Sequence, residues 1–148
     1  MNDLFDPEGA RQLLERLYRL QPGQPALWGR MNVAQMLTHC QAPFATYFGE
    51  LHIPQSLVGL LFGRFAKRRL FSGKPWPRGL PTAREFVITD DRDFESERNK
   101  LAAQIERFSS SSILLHPPRH PFFGKMSAQE WSRLAYRHTD HHLRQFGV

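Results

Sequence analysis

Cysteine is nearly absent from this chain: Cys40 stands alone among 148 residues. No internal disulfide can form, so stability has to come from a packed core, which a chain of this length is able to bury. Also missing is any run of about 18 apolar residues, the length a helix needs to cross a bilayer. The opening stretch, MNDLFDPEGA, lacks the basic and apolar blocks of an export signal. Internal repeats, low-complexity tracts and domain linkers are lacking too. The expectation is a single domain over residues 1–148, cytoplasmic and without a membrane span. Acidic residues are the scarcer charge, 14 against 20 Lys and Arg, for a net +6. The basic residues are scattered, densest at Arg64, Lys67, Arg68 and Arg69, with Lys74 and Arg78 following. No nucleic-acid reading motif accompanies them, which argues for a surface of mixed sign and against a nucleic-acid partner.

What is present is helical punctuation. Asp6-Pro7-Glu8 reads as an N-cap, a first-turn proline and a first-turn acid, and Leu13, Leu14, Leu17 and Tyr18 carry the periodic run to about Leu20. Gln21 to Pro25 then breaks it. Asn32 with Gln35 closes a capping box for a second helix over Val33–Phe48, its apolar face made by Val33, Met36, Leu37, Cys40, Phe44 and Tyr47. Pro43 predicts a kink within that helix. Cys40 reads as core packing and not as a nucleophile, because no basic neighbour is there to lower its pKa.

Ser56 to Phe71 reads as an amphipathic helix, apolar first and basic at its end. It suits either a core cover with a solvated tip or a helix that binds a partner or an anionic surface. A long loop, Ser72 to Pro81, and a brief extended stretch, Glu85 to Thr89, follow. Asp90 or Asp91 is expected to cap the next helix, which runs through Phe108. Phe94, Leu101, Ile105 and Phe108 face inward there, and Glu95, Glu97, Arg98, Lys100 and Glu106 form a solvated face.

The last helix carries the chemistry. Ser127 and Glu130 form its capping box and Gly147 its stop. Trp131, Leu134, Ala135 and Phe146 share an apolar stripe, and His138 and His142 fall within about 20° of its centre. Two imidazoles one turn apart and aimed into a core make a bidentate metal clip. The plainer reading is that they hydrogen-bond core carbonyls or one another. His39 lies roughly 120° from the centre of the second helix's apolar face, a groove or edge position that does not by itself implicate it. His141 is the rival ligand, i, i+3 from His138. His116 and His120 sit beside prolines in a loop, where exposure is the expectation.

These residues together resemble a known group. Trp28-Gly29-Arg30-Met31, Gln35 to His39, His120 to Ser127, Glu130-Trp131 and His138 to Gly147 are similar to a family of unknown function in the DinB/YfiT-like metalloenzyme superfamily. The resemblance spans most of the chain. It implies an all-α, four-helix bundle with an additional short helix and long loops between helices two and three. It further implies a homodimer and a divalent ion, nickel or zinc, on His39, His138 and His142. Relatives with known activity are thiol-dependent transferases and isomerases, so a small-molecule substrate, including a low-molecular-weight thiol, and transferase or hydrolase chemistry are the corresponding expectations. The alternative is a non-enzymatic bundle that binds a partner or anionic surface through Arg64 to Arg69.

Overall fold

Helix starts follow the capping residues. In the computed structural model, which describes residues 2–79 and 84–148, the Asp6 carboxylate accepts from the Glu8 amide at 3.1 Å and opens α1 (Pro7–Leu17). Asn32 and Gln35 complete both halves of their capping box at the start of α2 (Val33–His39). Then come α3 (Ala42–Tyr47), α4 (Leu57–Leu70) capped by Ser56, α5 (Phe94–Ser110) and α6 (Ala128–Gln145) capped by Ser127 with Glu130. No strand occurs among the described residues; one isolated bridge joins His120 and Gly124. The protein is an all-α bundle.

Several expectations are corrected. The second helix is two helices, α2 and α3, and the break at Cys40 and Gln41 lies before Pro43. The cause is steric: a helical proline clashes with the carbonyl four residues back, here that of His39, and gives it no N–H. Residues 84–86 form a short 3-10 turn, closed by Val87 N–H donating to the Arg84 carbonyl at 3.1 Å, where an extended stretch was expected. The turn satisfies the Val87 amide locally, and residues 87–89 after it have no regular structure. Asp93, not Asp90 or Asp91, caps α5, accepting from Ser96 N at 2.8 Å. The expected loop over Ser72 to Pro81 is irregular through Gly79, and its last two residues lie outside the described ones.

Glu97 is buried and not part of a solvated face. Its carboxylate accepts from Lys100 at 2.8 Å and from Gln41 Nε2 at 2.7 Å, so it bridges α5 to the break between α2 and α3. Burial pushes its pKa up, but the bonds from Lys100 and Gln41 outweigh that and hold it below the usual carboxylate value.

Four rods make the bundle: α1, the bent pair α2–α3, α5 and α6. Leu13 and Leu17 of α1, Met36 and Leu37 of α2, Phe44 and Tyr47 of α3, Leu101, Ile105 and Phe108 of α5, and Trp131 of α6 are fully buried. Phe108 is the hub, its ring centroid 4.5 Å from that of Tyr47 and 5.8 Å from that of Phe44. Trp131 adds a bond from Nε1 to the Pro118 carbonyl at 3.0 Å, which draws the loop before α6 onto the core. Cys40 is buried against Met36, and burial raises its thiol pKa well above the ordinary value, so it packs and does not attack. α4 joins this core through Leu70 at its end, and its earlier turns lie on the loop before α6. Gly59 and Gly63 back onto Phe122 so closely that any side chain there would collide with its main chain.

Candidate metal centre

The break that ends α2 leaves His39 as its final residue, facing α6. The buried residues of α6 include Leu134 and Gln145 as well as Trp131, Ala135 and Thr139, and at about 100° per residue they flank His138 and His142 on both sides. The two histidines are partly buried. Their rings meet that of His39, which is buried. Ring centroids are 4.9 Å apart for His39 and His138, and 4.7 Å for each of the other two pairs. One ring nitrogen from each residue lies within 4.8 Å of the others.

The hydrogen bonds decide which nitrogens face inward. His39 Nδ1 lies 2.9 Å from the Phe86 carbonyl. A carbonyl only accepts, so Nδ1 carries the proton and Nε2 a lone pair. His142 Nδ1 lies 2.7 Å from Gln145 Oε1, and Gln145 Nε2 donates to the Trp28 carbonyl at 2.7 Å. The second bond fixes the amide's orientation, so His142 too is a donor at Nδ1 with a free Nε2. His138 Nε2 stands 3.0 Å from His39 Nε2. Two nitrogens on one tetrahedral zinc, each at about 2.0–2.1 Å, lie roughly 3.3 Å apart. The 3.0 Å separation is close to that value, and the three-nitrogen donor set fits a divalent ion.

His138 differs from its partners: its Nδ1 is buried without a hydrogen-bond partner. Metal-ligating histidines usually bond through the second nitrogen, and two of the three do so here. All three are held below the ordinary histidine pKa. Burial is the main cause for each; for His138 the neighbouring His142 and His39 add to it, and His142 is pushed down to about 3. Neutral imidazoles, the form that ligates, are therefore present well below neutral pH.

Trp76 packs over the cluster, 6.2 Å from the His138 ring and 5.8 Å from the His141 ring, with Trp28 5.8 Å from His141 on the other side. Arg137 donates to the Lys74 carbonyl at 2.6 Å and holds the Trp76 segment down, while Arg78 sits 4.3 Å over the Trp28 ring. Gly29 fits closely behind. Its φ is +86°, and a Cβ there would come within 2.5 Å of Gln145 Nε2. His141 thus belongs to the wall and not to the cluster. His116 is exposed as expected, but His120 is not. It packs on Trp131 at 5.2 Å, and its Nδ1 accepts from the Phe122 and Phe123 amides, a structural role that keeps it away from the cluster.

The sequence reading missed Phe86, Trp28 and Trp76. A main-chain carbonyl leaves no sequence signal; Gln145 stands one turn beyond His142 on the same helix, but its support of that ring was missed as well.

Fold and site together define an all-α bundle protein with a three-histidine cluster able to coordinate a divalent metal ion. The chain belongs to the family described as protein of unknown function (DUF1569), whose model matches residues 7–147. No curated protein matches it. No solved structure matches it either.

Proposed function

We propose that this protein is a metal-dependent enzyme acting on a small molecule, with His39, His138 and His142 as the ligands of a zinc or nickel ion. The observation that carries the reading is the convergence of three neutral imidazoles, two of them oriented through Nδ1 so that Nε2 faces the others. When bound, a divalent ion supplies Lewis acidity undiminished by anionic ligands, which favours a water or a thiol in its deprotonated form. The chain's own residues supply the rest. Phe86 and Gln145 fix the rings, Trp76 and Trp28 pack against His138 and His141, and Arg137 and Arg78 place positive charge over those two indoles, near where an anionic substrate group would bind. A transferase or hydrolase using a low-molecular-weight thiol is the chemistry this arrangement suits, in keeping with the DinB/YfiT-like resemblance. Metal analysis of the purified protein tests the ligand set. His142→Ala is expected to lose the ion and His141→Gln to keep it, and equal contents in wild type and both variants overturn the proposal.

A second reading rests on the 3.0 Å approach of His138 Nε2 to His39 Nε2, which also serves as a hydrogen bond between neutral rings. On that reading the cluster is structural.

A further inference from the structure

The outer surface of α4 is apolar to a degree that its surroundings do not explain. Leu57, Leu61 and Phe65, spaced four apart on one ridge, are 79%, 78% and 77% exposed, and Val58, Leu60 and Phe62 beside them are exposed as well. The opposite side of the helix, Gly59, Gly63 and Leu70, is the buried one. Nothing among the described residues covers the ridge. Exposed patches of this kind mark interaction surfaces.

The flank of the same helix is basic. Between α4 and the loop from Arg119 to Lys125 runs a groove lined by Arg64, Lys67, Arg68, Arg119 and Lys125, with Glu130 as its carboxylate. Glu130 is already committed, at 2.7 Å to Lys67 and 2.8 Å to the Ser127 amide. Arg64 and Arg68 make no ion pair among the described residues, and α4 itself contains no Asp or Glu. Pairing two copies of the ridge would therefore bring Arg64, Arg68 and Arg69 into an interface without counter-charge. An anionic surface supplies that charge.

We propose that α4 is a docking helix for an anionic lipid surface. The Leu57–Leu61–Phe65 ridge enters the acyl boundary, and the groove formed by Arg64, Arg68, Arg119 and Lys125 receives headgroup phosphates. This is the arrangement of helices that lie in the membrane interface, an apolar face flanked by Lys and Arg. It involves none of the three histidines.

The test is flotation of the full chain with phosphatidylcholine vesicles, with and without phosphatidylglycerol. The protein is expected to float with the anionic vesicles only, and less so as salt rises. Both L61S/F65S and R64E/R68E are expected to lose binding by on the order of tenfold or more. Because the substituted side chains are exposed, circular dichroism spectra should match wild type. An environment-sensitive fluorophore on a Leu61→Cys variant is expected to shift to the blue on anionic vesicles. Three results overturn the proposal. One is no flotation at low salt. Another is binding that L61S/F65S leaves intact and inorganic phosphate competes away, which makes the groove a site for a soluble anion. The last is a dimer in sedimentation that L61S/F65S dissociates without any vesicle binding, which makes a second copy the occupant.

Discussion

Gln145 shows how one side chain serves two purposes. It accepts from His142 Nδ1 and donates to the Trp28 carbonyl, joining a candidate ligand to the loop that walls the site. Gln145→Leu keeps the volume and removes both bonds. Metal affinity is expected to fall about 10–100-fold, the usual effect of losing such a support, and competition with a chromophoric chelator measures it. An unchanged affinity would leave Gln145 with no role in orienting the ring. The buried histidines also set an acid limit. Their folded pKa values lie below the unfolded value of 6.5, about 3 for His142 and about 4 for His120. As pH falls through that window the unfolded chain takes up protons first, so stability complete above pH 6.5 is lost progressively toward pH 3. For His142 alone the loss is on the order of 2 kcal/mol at about pH 5. Urea midpoints of metal-free protein against pH should show it, with a shallower slope for His142→Gln. The same shift moves proton competition with a bound metal to lower pH than free imidazoles would give.

Among the elements, the break between α2 and α3 decides where His39 sits. Pro43→Ala restores the N–H and removes the clash with the His39 carbonyl, so a continuous helix becomes accessible. Helicity by circular dichroism is expected to hold or rise while metal affinity drops about tenfold, as for other supports of a ligand. Unchanged affinity would mean that the break does not position His39. The contrast between His39 and the caps shows what the sequence makes legible. Asp6, Asn32, Ser56 and Ser127 act on amides within three residues, so local pattern reveals them. His39 is read from helical periodicity as an edge residue because its burial depends on a turn 47 positions later, at Phe86. Glu97 misleads for the same reason, since a partner that makes its burial tolerable, Gln41, lies in the break between α2 and α3, far from it in sequence. His138 and His142 are visible as a pair by spacing, but the third ring, His39, comes from another helix and reaches them only through how α2 and α6 pack.

For the molecule as a whole, a metal that binds only the folded state stabilises it by mass action. At a free metal concentration of about 100 times Kd the gain is roughly 2.7 kcal/mol. In a chain of this size that corresponds to about 5–10 °C in Tm. Chelation and dialysis are expected to lower the melting temperature by that amount, with recovery on adding zinc or nickel; no change would favour the purely structural reading of the cluster. The two oriented rings reach their final acceptors in the main chain, His39 at the Phe86 carbonyl and His142, through Gln145, at the Trp28 carbonyl. A carbonyl has no side-chain identity, so positions 28 and 86 can drift in amino-acid type without disturbing either ring. What they cannot absorb is a change in length. A one-residue insertion or deletion between Pro25 and Asn32, or between Arg84 and Asp93, would carry the acceptor away from its imidazole, so related chains that keep the cluster should vary there by substitution and not by gaps.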